Sequence, residues 1–150
     1  MKYSEAKRGR TFVLRLEDGE VLHEVIEAFA KKKGIRAAAL IVVGGADKGS
    51  KLIVGPIKGR AAKIVSRELV LDEAYEVAGT GTLFPDEEGH PILHMHLAAG
   101  RGHQAVVGCS RIGVKIWHVL EVILIELLDT RGVRKLDRKL GFKLLDPSPT

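Results

Sequence analysis

The stretch Thr11 to Gly34, TFVLRLEDGEVLHEVIEAFAKKKG, decides how this chain is read. Thr11 to Leu16 alternate around Phe12, Leu14 and Leu16, the two-residue period of a strand. The Asp18-Gly19 turn then opens a segment from Glu20 to Lys33 in which Val21, Leu22, Val25, Ile26, Phe29 and Ala30 recur three and four residues apart. That spacing gives a helix one apolar face. Lys31 to Lys33 put positive charge at its C-terminal end, where it complements the helix dipole, and Gly34 stops it.

Downstream the pattern changes to short apolar runs punctuated by glycine. Ile35 to Val43 reads as a buried strand, Gly44 to Gly49 as a turn and Lys51 to Val54 as another strand. With only a turn between them, these two strands are expected to form an antiparallel hairpin. One or two strands fall between Ala62 and Leu71. Tyr75 to Phe84 follows, where Gly79 and Gly81 suggest a bulge or a close backbone approach. Beyond the acidic turn Pro85 to Gly89 come Ile92 to Ala98, Ala105 to Val107 and a long strand from about Val114 to Leu127. Val133 to Leu145 predicts a short helix followed by an extended piece. The expected fold is α+β: an antiparallel-rich mixed sheet of about seven strands with one main helix over about residues 20–33. A basic segment (residues 1–10), one domain (11–145) and a flexible tail (146–150) divide the chain.

Composition suits one globular domain: 150 residues, 45% apolar and 29% charged. A single cysteine, Cys109, excludes an intramolecular disulfide and fits a reducing compartment. The N-terminus lacks the apolar run of a signal peptide. The greasiest segment, Val119 to Leu128, carries Glu121 and Glu126 and is too short for a bilayer. The expectation is a soluble, cytoplasmic protein with no membrane partner. A net charge of +5 permits an acidic partner such as DNA, but 19 acidic residues are interspersed with 24 basic ones.

Among motifs, Gly44 to Lys51 has the glycine spacing of a phosphate-binding loop. Ser50-Lys51 reverses the required order, however, and a strand follows where a helix is needed, so nucleotide binding is rejected. His94-Met95-His96 is sharper. On a strand both imidazoles project from one face and can ligate a first-row divalent metal such as zinc if a third ligand arrives. His90, His103, Cys109 and His118 are the available third ligands. The alternative is a pair of strand histidines that meet water or a subunit interface.

On the last strand, alternation puts His118 with Ile116 and Leu120, and Trp117 with Val119 and Glu121. Glu121 on so apolar a strand is expected to face a polar site, a basic partner or another subunit. Lys7-Arg8-Gly9-Arg10 contains the Arg-Gly-Arg core of a minor-groove hook, but Thr11 stands where such a hook has proline. Lys7, Arg8 and Arg10 are thus weak nucleic-acid candidates, and a basic start to the domain is the simpler reading. No nucleophile elbow or Ser-His-Asp order marks a catalytic centre.

Taken in order, several segments carry a resemblance: Gly9 to Leu16, the Gly19-Glu20 turn, Lys33-Gly34-Ile35, Val43 to Ala46, Pro91 to His96, and Trp117 to Leu127. Together they resemble the PPC (or PCC) domain, the plant and prokaryote conserved domain, over about Arg10 to Leu145. The resemblance implies a homotrimer. Prokaryotic relatives are often described as DNA-binding, and plant relatives pair the domain with AT-hooks in nuclear regulators. Some prokaryotic members hold a metal on a His-x-His pair plus a histidine of a later Gly-Gly-His segment. The pair corresponds to His94 and His96, and Cys109 falls where the later histidine would be, with His103 as a less well aligned substitute. Glu121 would serve as a base or as a partner to the ligands. The functional expectation is a trimeric DNA-binding or regulatory protein. The alternatives are a metal-binding protein or metal-dependent enzyme, and a purely structural assembly module.

Overall fold

The computed structural model describes residues 1–148, so Pro149 and Thr150 of the expected flexible tail lie outside the described residues. Strand β1 (Lys7–Glu17) leads into helix α1 (Leu22–Lys33). Then come β2 (Ala38–Ala46), β3 (Lys51–Pro56), β4 (Ser66–Val70), β5 (Tyr75–Pro85), β6 (Pro91–Arg101), β7 (Gln104–Cys109) and β8 (Ile116–Leu128). A terminal hairpin, β9 (Val133–Asp137) and β10 (Phe142–Asp146), completes the chain. Eight strands form one antiparallel sheet in the order β1-β8-β2-β5-β6-β7-β3-β4.

The alternation predicted for β1 and the face predicted for α1 meet in one core. Leu22, Ile26 and Ala30 of α1 join Leu40 and Val42 of β2, Leu93, Met95 and Leu97 of β6, and Leu120, Val122 and Leu124 of β8. Each of these is at most 3% exposed, and burying a leucine or isoleucine fully stabilises the fold by about 1.5–3 kcal/mol. Phe12 meets Phe29 edge to face at 5.3 Å, tying β1 to the helix. Gly34 ends the helix in the left-handed region at φ 67°, a conformation that costs glycine no Cβ clash. α1 therefore covers one face of the sheet, and residues of the opposite parity point to the other.

The main sheet has eight strands, in keeping with the expected seven or so, and among the described residues two more form a separate hairpin. Several sequence expectations need correction. β2 and β3 do not pair: β2 lies between β8 and β5, and β3 between β7 and β4. Two core strands took the places on either side of β2, and hydrophobic burial outweighed the local turn. Gly44 to Ala46, expected as turn, extend β2. Val133 to Leu145 forms the β9–β10 hairpin and no helix; its alternating pairs, Val133 with Asp146 and Lys135 with Leu144, decide the matter. The parity of β8 also breaks. Gly44 pairs with Leu120 but Gly45 with Trp117, so His118 sits in an irregularity at φ 59°, exposed, with its N–H donated to Asp18 Oδ1 at 2.7 Å. It does not share the buried face of Ile116 and Leu120. Glu121 is exposed, whereas the buried carboxylate of this strand is Glu126.

The close approach suggested by Gly79 is real. A Cβ there would lie 2.4 Å from the His96 carbonyl oxygen and 2.5 Å from Leu97 Cδ2. Gly79→Ala is expected to cost about 1–3 kcal/mol by overpacking, read as a lower denaturation midpoint. A variant as stable as the wild type would show that β5 and β6 separate freely.

The terminal hairpin docks through Asp86, which accepts from Lys143 Nζ at 2.8 Å and from the backbone N–H groups of Glu88 and His90. These bonds, Lys143 first, hold the Asp86 carboxyl at about 2 against an ordinary 3.8. Because the folded value is depressed, the stabilisation is fully present above about pH 4 and drains away as pH falls towards 2. Asp86→Asn should flatten this limb of a melting-temperature profile taken between pH 2 and 6. An unchanged slope would assign the acid sensitivity elsewhere.

Candidate metal centre

β6 is the strand on which the site is built. Leu93, Met95 and Leu97 enter the core, so His94 and His96 must project from the opposite face. Their rings lie 5.1 Å apart, nearly perpendicular. The ladder between β6 and β7 pairs His96 directly with Cys109, the last residue of β7. One donor atom from each of His94, His96 and Cys109 lies within 4.8 Å of the others. Donors around a tetrahedral zinc ion, bound at about 2.0–2.3 Å, stand roughly 3.5 Å apart. Small side-chain rotations suffice to close such a site, and two imidazoles with one sulfur form a donor set that zinc accepts. These residues fit a divalent metal.

The electrostatics favour the ligand form of both histidines. Burial, reinforced by the guanidiniums of Arg134 and Arg111, holds His94 below its ordinary value. Burial together with His94 and Arg111 does the same to His96. Both rings are therefore neutral near pH 7, the state that binds metal. Cys109 is only 5% exposed. Its sulfur accepts from Arg111 Nε at 3.3 Å, which sets a guanidinium beside the sulfur. A cavity of about 220 Å³ opens beside the three residues, bounded by Ile53, Pro56, Ile64 and Phe142.

The remaining candidates fall elsewhere. His103 sits in the turn between β6 and β7, beyond the pair Arg101 with Gln104. That pair is five ladder steps from His96, roughly 16 Å along the strand, so within one chain His103 does not substitute for Cys109. Glu121 aligns through Val43 and Ala78 with Ala98, three strands across from β6 and roughly 14 Å away laterally. It reaches neither histidine in the same chain. His90 belongs to a second cluster, with Asp86 and Glu88, whose donor atoms also lie within 4.8 Å of one another. There Asp86 is already committed to Lys143 and two backbone N–H groups.

The basic N-terminal residues are built into the sheet rather than forming an arm, since β1 begins at Lys7. Arg10 makes a two-pronged pair with buried Glu126, at 2.7 Å to each carboxylate oxygen. Lys7 faces Asp129 at 2.9 Å, and Arg8 bonds Thr11 Oγ1 at 3.0 Å. Sequence reasoning missed Arg111, Arg134 and Phe142. Arg111 lies two residues past Cys109 and could have been noticed. Arg134 and Phe142 arrive through the hairpin that was misread, with no local signal.

The chain superposes on the metal-containing protein from Archaeoglobus fulgidus with a TM-score of 0.81 at 25% identity, covering 96% of this chain and 98% of that one. It superposes on a plant- and prokaryote-conserved (PPC) protein from Pyrococcus horikoshii with a TM-score of 0.83 at 24% identity, each chain fully covered. A "putative dna binding protein" from Bacteroides thetaiotaomicron is similar at TM-score 0.73 and 19% identity, covering 95% of this chain and 97% of that one. The last two likenesses concern the fold alone. No curated protein matches the chain. The model of the Plants and Prokaryotes Conserved (PCC) domain matches residues 3–128, through every strand of the eight-stranded sheet, and the chain belongs to that family.

Proposed function

We propose that this protein is a homotrimeric PCC-domain protein that holds a divalent first-row metal, zinc being the best match, on His94, His96 and Cys109. The observation that carries the reading is the ladder pair His96 with Cys109, which gathers an imidazole pair and a sulfur on one face. The similarity to a metal-containing archaeal protein supports it. Three protein ligands leave one tetrahedral position for water or a substrate, and a metal so bound acidifies water or polarises a carbonyl. Cys109 would bind as the thiolate, with Arg111 balancing its charge.

Assembly is supported by the sheet face that α1 leaves uncovered. Val13, Ile41, Val43, Val107, Val119 and Ile123 are between 37% and 78% exposed. Val13, Ile123 and Ile41 form one row through the register of β1, β8 and β2. A contiguous apolar patch of this kind marks a protein interface. Sedimentation equilibrium should give three times the chain mass, and a monomer would remove this part of the reading. No helix among the described residues is long and apolar enough to cross a membrane. The lone cysteine and the thiolate ligand suit the cytoplasm.

The second reading is DNA binding or regulation, favoured by the net charge of +5 and by similarity to structures named for it. It must find a basic surface other than Arg10, which Glu126 occupies. A labelled duplex that shows no anisotropy change even at low salt would exclude it, because phosphate contacts are strongest there.

Metal content decides the principal reading. Untagged protein purified without chelators should carry near-stoichiometric metal by mass spectrometry. His96→Ala, at an exposed position, and Cys109→Ser should each lower retention about tenfold or more, in line with the loss of one ligand. Wild-type protein free of metal, or variants that retain it fully, would overturn the assignment.

A further inference from the structure

β7 ends at Cys109, opposite His96, and leaves the neighbouring edge of β6 without a strand from Pro91 to His94. The Leu93 N–H on that edge is taken by Glu27 Oε1 of α1 at 2.8 Å. The terminal hairpin closes over the rest, and between them lies a cavity of about 340 Å³ lined by His23, Glu27, His94, Arg111, Arg134 and Lys143, among others. That volume is at the small end of ligand pockets.

The charge in this cavity is unbalanced. Arg134 is 4% exposed, yet among the described residues no carboxylate pairs with it. Its Nε donates to the Ile92 carbonyl at 3.3 Å, and its Nη2 to the Thr82 carbonyl at 3.2 Å and Thr82 Oγ1 at 2.9 Å. Nη1 has no protein partner among the described residues. The nearby acid, Asp86, is neutralised by Lys143. Arg111 reaches the same cavity with only its Nε committed, to Cys109. The two guanidiniums repel, and burial with this repulsion pulls Arg134 below its ordinary value. On the facing helix, His23 Nδ1 is buried with no hydrogen-bond partner among the described residues. Glu27 is the single acidic lining residue among the described residues. A buried cation without a counter-charge is costly, and here two cations and an orphaned imidazole nitrogen converge on one space.

We propose that this cavity is a binding site for a small oxyanion, a carboxylate or phosphate compound, gripped by Arg111 and Arg134 with His23 as a third partner. Planar guanidiniums offer paired N–H groups that match such anions. His94 lines both this cavity and the candidate metal centre, so the anion would lie beside the metal. The site does not require the metal, and the two readings can fail separately.

Isothermal titration calorimetry on the full chain, stripped of metal by chelator, with malonate and inorganic phosphate at low ionic strength tests it. Saturable binding of either probe at about 1 mM or tighter is expected. Arg111→Met, at an exposed position, should weaken binding at least tenfold with an unchanged circular dichroism spectrum. Arg134→Met should do the same, with circular dichroism reporting whether it folds. Arg36→Met, an exposed charge outside the cavity, should change nothing. Absence of saturable binding by both probes, or binding that survives Arg111→Met, would overturn the proposal.

Discussion

The pairing of β6 with β5 on one side and β7 on the other is the interaction on which the rest of this molecule depends. β6 is a strand whose alternate residues have opposite tasks: Leu93, Met95 and Leu97 are the floor on which α1 rests, and His94 and His96 occupy the other face. A shift of one residue would bury both imidazoles and expose three core side chains. Register is therefore fixed by the core, and the histidines inherit it. Gly79 strengthens the constraint, because its missing side chain is what lets β5 approach the His96 carbonyl. The site is thus positioned by packing on the face away from it.

The second constraint is where β7 stops. Ending at Cys109, it sets a sulfur against His96 and also leaves the β6 edge open beyond that point. A bare edge exposes backbone donors that need partners. Glu27 takes one, while Arg134, carried in by β9, lies across the β5–β6 ladder and donates to the carbonyls of Ile92 and Thr82. Docking the hairpin through Arg134 brings positive charge to the neighbourhood of a cysteine and two histidines. Burial, with Arg134 and Arg111 adding to it at His94 and Arg111 at His96, holds both imidazoles below their ordinary value. Architecture and chemistry are coupled here, since the residue that docks the hairpin on the sheet also tunes His94.

The third element is the uncovered face. The sheet has two apolar faces: α1 covers one, and the terminal hairpin covers only the Thr82–Phe84 end of the other. Ile41, Val43 and Ile123 lie on the face that also carries His94 and His96, through the register of β8, β2, β5 and β6. Self-association over that face would place the candidate metal centre near a subunit boundary, and Glu121 and Glu17 of this face would then meet a neighbouring copy.

Much was legible in the sequence because it was local. The three- and four-residue spacing of Leu22, Ile26 and Ala30 determines an amphipathic helix wherever it lands, and Gly34 ends it. Alternation determines that His94 and His96 share a face. The same local logic failed for β2 and β3, for the parity of β8 at His118 and for the β9–β10 hairpin. In each case a partner distant in the chain outweighed the nearest turn or the regular period. Tertiary structure alone decided that Cys109, rather than His103 or His118, meets the histidine pair. It also decided that Glu126 rather than Glu121 is the buried carboxylate of β8, and that Arg134 arrives with no counter-ion among the described residues. The physical reason is the same throughout: periodicity dictates which way a side chain points, but only the pairing of strands far apart in the chain dictates what it points at.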